Sequence, residues 1–304
     1  MTSNSKRESS HTQNVIDAIG TGVSLRIRQV MSSLIKHLHD FARENEITFD
    51  EMMAAIEFIN SAGKMSDEKR NETLLLCDIL GLESLLEEIA LSKENKENSS
   101  ATVGTVLGPF YRHDAPVREN ESSISQPADE KDTIYVHGIV SDLNTKKPLA
   151  GAWVDVWQAN GIGLYEQQDQ HQVDYNLRGK FKTDKNGHYG FYSVQPGPYP
   201  IPSDGLHFGV HQNSKITNTL SLGPAGDLLT LLGRPIYRPA HIHIIARCEG
   251  YKSLITQIYN RKDPYLKNDA VFAVKDSLIV DFEPMEGNSK AKLEVNFPII
   301  LVPS

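Results

Sequence analysis

The chain has 304 residues, 39% hydrophobic and 23% charged, with 31 basic side chains against 39 acidic ones and a formal charge of −8. This balance is ordinary for one large domain or two small ones; it excludes collagen, a long coiled coil and wholesale disorder, and an acidic excess without a dense basic stripe argues against a nucleic-acid partner. Only Cys77 and Cys248 occur, no apolar run reaches the roughly 18 residues that span a bilayer, and the start MTSNSKRESSHTQN lacks an apolar signal core, so a reducing, cytoplasmic setting without membrane spans is expected.

Residues 1–20 are polar and aperiodic and read as a flexible tail. Ile27, Val30, Met31, Leu34, Ile35, Leu38 and Phe41 then recur at steps of three and four, which predicts a first helix. Thr48 and Glu51 form a capping box ahead of Met52, Met53, Ile56, Phe58 and Ile59, with Gly63 where that helix would stop. Ser66 is a candidate cap for a third segment carrying Leu74, Leu75, Leu76 and Ile79, and Gly81 divides it from Leu85, Leu86, Ile89 and Leu91. Residues 21–100 are therefore expected to be a helical linker or dimerisation region. Its apolar faces can pack on each other, on a following domain or on a second copy of the chain, and periodicity does not choose.

The run KENKENSS, Lys93 to Ser100, marks a linker or exposed turn. From Ile134 the texture changes to short runs rich in β-branched and aromatic residues, TIYVHGIV, AWVDVWQA, GKFKTD, HYGFYSV, IHIIA, SLITQIY and LEVNF, parted by turn signals such as DKNG and PGPYP. Strands at that spacing predict an antiparallel β-sandwich or barrel over residues 101–304, and with the helices before it an α+β protein.

His241 and His243 form an H-x-H pair in an apparent strand, where residues two apart share a face and two imidazoles can hold one metal. The plainer reading is one packed and one surface histidine. Arg238 stands three residues upstream, with Pro239 restraining the backbone between them. No cysteine lies near for a thiolate zinc site, and no H-x-D or H-x-E pattern suggests a two-histidine, one-carboxylate iron site. Tyr165 and Tyr199 each follow a glycine-containing loop that can aim a phenol inward, but with 11 tyrosines present ordinary packing accounts for any one of them.

The segments LGPFYR (from Leu107), VDVWQANGIGLYEQQD (from Val154), NLRGKFKTDKNGHYGF (from Asn176), PGPYPIPSDG (from Pro196), LGRPIYRPAHIH (from Leu232) and TQIY (from Thr256) resemble the intradiol catechol dioxygenases in order and spacing over residues 25–300. The resemblance implies one non-haem Fe(III) per chain, held by Tyr165, Tyr199, His241 and His243. Phenolates are hard anionic donors that favour the ferric ion, and two neutral imidazoles limit the negative charge. It further implies that a 1,2-dihydroxybenzene binds as a dianion in exchange for the Tyr199 phenolate, that Arg238 and Gln257 stabilise the ring as dioxygen attacks it, and that a muconate results. Val106, Leu107, Gly108, Pro109, Phe110, Ile201, Pro202 and Val271 match substrate-lining positions, and the apolar ones equally suit a core. GLYEQQD and FAVKDSLIVDFEP are closer to the hydroxyquinol 1,2-dioxygenases, whose product is maleylacetate, than to the catechol branch giving cis,cis-muconate. Homodimers through the helical region are implied, and a lipid in that interface is admitted, although the sequence carries no motif for one.

One departure stands out. Eighteen residues, Leu206 to Gly223, separate Asp204-Gly205 from Pro224-Ala225 where the family runs on directly. They read either as a polar surface loop or as a translated intron that keeps the reading frame, and on the second reading His207 and His211 have no role as ligands. Two rivals of other classes remain at this stage: a non-catalytic transthyretin-like sandwich, which also carries AGAWVDVWQ followed by TDKNGHYGF, and a zinc hydrolase built on the H-x-H pair.

Overall fold

The computed structural model describes residues 3–68, 70–94, 100–126, 133–201 and 223–304. Two compact units divide the chain, Met1–Asn60 and Ser61–Ser304. No helix among the described residues is long and apolar enough to cross a membrane.

Helix α1 (Ser3–Asp17) occupies the stretch expected to be a flexible tail. Its sequence is polar all round, so no periodicity announces it. Contacts with α2 (Leu25–Glu44) supply what pattern does not, since the rings of His11 and His39 stack at 5.6 Å and Thr12 Oγ1 lies 3.1 Å from His39 Nδ1. Ser24 caps α2 by accepting from Ile27 N, yet no residue of α2 is buried, and Ile27, Val30, Leu34, Leu38 and Phe41 remain exposed. The capping box opens α3 (Phe49–Met65) as expected: Thr48 N donates to Glu51 Oε2 at 2.8 Å and Glu51 N to Thr48 Oγ1 at 3.3 Å. This helix runs through Gly63, and the boundary between the two units falls inside it.

Ser66 does not cap the next helix. It donates to Ala62 O and accepts from Glu72 N, while Asn71 caps α4 (Glu72–Ile79) by accepting from Leu74 N. Gly81 parts α4 from α5 (Leu82–Glu94). Both helices are tied to the chain that follows: at α4, Arg234 Nη1 donates to Ile79 O at 2.6 Å, and at α5, Leu107 N donates to Glu83 Oε1 at 2.7 Å and Ser84 Oγ to Phe272 O at 3.0 Å.

The remaining elements follow in order: β1 (Ser122–Ser123), β2 (Thr133–Asp142), β3 (Trp153–Gln158), β4 (Arg178–Lys182), β5 (His188–Val194), β6 (Tyr199–Pro200), α6 (Gly223–Leu231), β7 (Tyr237–Arg238), β8 (His241–Arg247), β9 (Leu254–Asn260), β10 (Ile279–Val280), β11 (Glu283–Pro284), β12 (Leu293–Asn296) and β13 (Ile299–Leu301). One sheet runs β1-β5-β2-β12-β11 with β13 also on β2, a second runs β10-β9-β8-β3-β4, and β6 pairs with β7. The sheets are mixed, a correction to the purely antiparallel expectation: β12 and β13 lie parallel to β2, β1 to β5 and β10 to β9. A parallel neighbour needs a long crossover, and short-range turn signals do not reveal one. Alternate residues of both sheets, among them Val136, Phe191, Val154, Val156, Ile242, Ile244 and Ile258, form one fully buried core. Helix α6, only nine residues long, was too short for periodicity to predict; it buries Ala225 and Leu229, and Ala225 N donates to the buried Glu72 Oε1 at 3.0 Å.

Candidate metal centre and active site

Strand β8 is buried on both faces. Ile242, Ile244 and Ala246 face the core, so His241 and His243 must face the other way, and both are only 2% exposed. Register then builds the surroundings. Gln257 of β9 lies opposite His243 and Tyr259 opposite His241. Trp157 of β3 pairs with His243 from the other side, its ring stacked on the imidazole at 4.5 Å and 8°. The β6–β7 ribbon sets Tyr199 opposite Arg238.

Tyr165 arrives on the loop after β3. Gly163, at φ +86°, lets that loop close on the next: a Cβ there would stand 2.5 Å from Pro198 O and 2.8 Å from Tyr199 Cβ. The two phenol rings therefore meet edge to face at 5.6 Å. His243 Nε2 lies 3.1 Å from Tyr165 Oη and 3.0 Å from His241 Nε2, while Arg238 Nη1 lies 3.1 Å from His241 Nε2 and 3.5 Å from Tyr199 Oη. Two phenols and two imidazoles thus converge on one point, the four residues singled out in the sequence.

The electrostatics fit a multiply charged cation. Burial, reinforced by Arg238 and, at His243, first by His241, holds both imidazoles well below the ordinary histidine value, so they are neutral. His241 Nδ1 lies 2.7 Å from Pro239 O, which makes it the protonated nitrogen and leaves a lone pair on Nε2. Burial pushes Tyr165 well above the ordinary phenol value and Tyr199 above it too, so without a strong local positive charge neither ionises. Among the described residues no group of three or more His, Cys, Asp or Glu is arranged for a metal. A metal ion here therefore has to use the phenols, whose hard oxygen donors suit a ferric ion better than zinc.

Gln257 is fixed from three sides: Nε2 donates to Val106 O at 2.7 Å, and Oε1 accepts from Arg238 Nη2 at 2.9 Å and Tyr259 Oη at 2.6 Å. A cavity beside this cluster is lined by Leu75, Asp78, Pro109, Phe110, Tyr199, Pro200, Ile201, Arg238 and Val271. Four of the eight expected lining residues are thus in the wall. Val106 is fully buried and serves through its carbonyl; Leu107 is tied to Glu83; Gly108, at φ +76°, lies against the His243 ring, where a Cβ would come within 3.2 Å of Cε1. Pro202 lies outside the described residues, as do His207, His211 and all of the 18-residue interruption except Gly223. Tyr165 is not in the wall; Phe110 stacks on it at 4.6 Å.

A family model for the catechol dioxygenase N terminus matches residues 25–98, and one for the dioxygenase domain matches 106–213 and 217–303. An intradiol ring-cleavage dioxygenase of Aspergillus niger is 40% identical over 302 residues, covering 99% of this chain and 90% of that protein. The chain belongs to the intradiol ring-cleavage dioxygenase family. A catechol 1,2-dioxygenase of Candida albicans is 43% identical over 281 residues, covering 92% and 86% of the two chains. A hydroxyquinol 1,2-dioxygenase structure from Pseudomonas putida superposes with a TM-score of 0.79 at 31% identity, covering 99% of this chain and 100% of the other. As an intradiol dioxygenase the protein is an enzyme, which displaces the non-catalytic sandwich and the zinc hydrolase. The second family match continues through the interruption noticed in the sequence except for a break at residues 214–216.

Sequence reasoning missed Leu75, Asp78 and Pro200 in the cavity wall, and Trp157 and Tyr259 around the histidines. Tyr259 was within reach, because it stands two residues after Gln257 on a strand and so shares its face. Leu75 and Asp78 share a face of α4, but nothing in a helical pattern says which cavity that face meets.

Proposed function

We propose that this intradiol dioxygenase binds Fe(III) through Tyr165, Tyr199, His241 and His243 and cleaves hydroxyquinol with O2 between its adjacent hydroxyl-bearing carbons to give maleylacetate. The relatives' names point both ways, to catechol and to hydroxyquinol. The observation that carries the substrate choice is Asp78. Burial, and next its hydrogen bond with Glu83, pushes this carboxyl up to about 9, so it stands protonated in the cavity wall. Its Oδ1 is buried without a hydrogen-bond partner. On this reading a third ring hydroxyl would supply that partner, whereas catechol would leave the group unsatisfied at about 1–3 kcal/mol.

The ferric ion supplies a centre for chelating the substrate dianion and drawing electron density from the ring. The protein's own groups do the rest. Tyr199 is the phenol that opens the site, because it lines the cavity while Tyr165 is packed behind Phe110. Burial raises the affinity of Tyr199 Oη for protons, so this phenol would be the group of the chain placed to take up one of the substrate's protons. Arg238 and Gln257 present a cation and an amide to the ring as charge develops, and the apolar walls from Phe110, Ile201 and Val271 exclude water. The exposed stripe of α2 supports a second copy of the chain as its cover, hence a homodimer.

Oxygen uptake by the iron-loaded enzyme with each substrate tests the reading. The specificity constant is expected to be higher for hydroxyquinol, and a clear preference for catechol overturns the substrate assignment. A colourless protein that cleaves neither compound overturns the ferric site.

A further inference from the structure

We infer that Asp269 is the positioning residue of Arg238, fixing the guanidinium and the Val271 wall of the cavity in one geometry. The inference rests on the reading of Arg238 as the cation that faces the substrate ring. Asp269 lies between β9 and β10, outside every segment that carries the family resemblance, and its side chain and that of Arg238 are each 3% exposed. Oδ1 accepts from Arg238 Nε at 3.1 Å and from Val271 N at 3.4 Å, and Oδ2 accepts from Ala273 N at 3.0 Å. One carboxylate thus holds the cation and the backbone of the turn that sets Val271 in the cavity wall.

The guanidinium is planar, so fixing one edge aims the others. With Nε on Asp269, Nη1 is directed at His241 Nε2 and Tyr199 Oη, and Nη2 at Gln257 Oε1 and, at 3.5 Å, Tyr259 Oη. All of these other partners are neutral groups when the site carries no cation. Asp269 is therefore the anion that makes burial of Arg238 tolerable, since an uncompensated buried charge is strongly destabilising. The turn itself is held hard. Phe272 takes a left-handed φ of +59°, unfavourable for an aromatic residue, with its carbonyl accepting from Ser84 Oγ and its ring 4.5 Å from the Arg234 guanidinium. A turn so constrained transmits a displacement of Asp269 to Arg238 instead of absorbing it.

A purely structural ion pair would affect melting or KM alone; a positioning role lowers kcat through Arg238. The iron-loaded full chain is compared as wild type, R238A, D269N and the double variant. D269N keeps the shape but replaces a carboxylate oxygen with a donor and removes the charge. It is expected to retain iron and its visible band, to bind substrate anaerobically near the wild-type level as read from the shift of that band, and to lose about 10- to 100-fold in kcat. The double variant is expected to be no slower than R238A, because the two residues act through one group. Wild-type kcat in D269N, a raised KM with kcat intact, or additive losses in the double variant overturns the inference. Full turnover in R238A is a different failure, since it removes the Arg238 reading and this inference with it. Should D269N not fold, D269E decides. It keeps the charge but moves it by one methylene, and a kcat equal to wild type would overturn the role.

Discussion

The two sides of the active site are built from different material. On the donor side, three of the four donors come from strands whose positions are locked to one another by register, with His243 opposite both Trp157 and Gln257, His241 opposite Tyr259 and Tyr199 opposite Arg238, while Tyr165 is carried by the loop after β3. The cavity side comes from a helix, a loop and a turn, with Leu75 and Asp78 on α4, Pro109 and Phe110 on the chain after α5, and Val271 in the turn held by Asp269. A ladder fixes a side chain by its period of two, so chemistry that needs several atoms at one point is placed on the sheet. Loops and helix faces tolerate exchange of side chains, and on the proposed reading the substrate is chosen there.

The strongest way to break this comparison is to remove a donor. Loss of either imidazole in H241A or H243A, or of the single phenol oxygen in Y165F, is expected to abolish most iron binding and the visible absorption, measured by metal analysis and spectrum. The sandwich should still melt cooperatively, since its core uses the opposite faces of the same strands. Full iron occupancy in either histidine variant would sink the ligand assignment.

How much of this was legible follows the same division. The shared face of the histidine pair was legible, because side chains two apart on a strand point the same way whatever the fold, while their reading as ligands came with the family resemblance. The two tyrosines had no such pattern, since a phenol after a glycine loop is commonplace and only the family register picked them out. Of the residues expected to line the substrate, Pro109, Phe110, Ile201 and Val271 border the cavity, whereas Val106 offers a carbonyl to Gln257 and Gly108 lies against the His243 ring. Asp78 and Asp269 had no local signal. Their meaning lies in a raised proton affinity and a guanidinium contact that exist only once distant segments meet.

A next effect, on the cavity side alone, sharpens the contrast. D78L replaces a protonated carboxyl with an apolar group of the same branching and somewhat larger size. The preference for hydroxyquinol over catechol is expected to fall by about 10- to 100-fold, the range set by one unsatisfied buried polar group. Iron content and the resting spectrum should not change. An unaltered ratio of specificity constants in a folded, iron-replete D78L chain removes Asp78 from substrate choice.

A smaller effect is expected where the two sides touch. Gly108 has φ +76° and lies against the His243 ring, so G108A adds a strained backbone and a Cβ at 3.2 Å from Cε1. A non-glycine residue in that conformation costs about 1–2 kcal/mol. The predicted result is a melting temperature lower by several degrees, with weaker iron retention under a chelator challenge. G108A with the stability and iron retention of wild type would mean that the loop shifts freely over the histidine and does not share its geometry.

The smallest effect is predicted for the interruption. Deleting Leu206 to Gly223 joins Gly205 to Pro224, so a glycine still precedes the proline at the start of α6. The anchors of α6 lie beyond the cut: Ala225 N on Glu72 Oε1, with Ala225 and Leu229 fully buried. Changing the length of a connection alters closure entropy only slowly. The shortened chain is therefore expected to fold, to bind iron and to turn over at least as fast as the full one, whichever of the two readings of the segment holds. Sequencing the transcript separates those two origins, because only an intron is absent from mature message. If every transcript retains the segment and its deletion abolishes turnover with iron still bound, the segment belongs to the cavity side of the site, and that side is more exacting than the wall residues alone suggest.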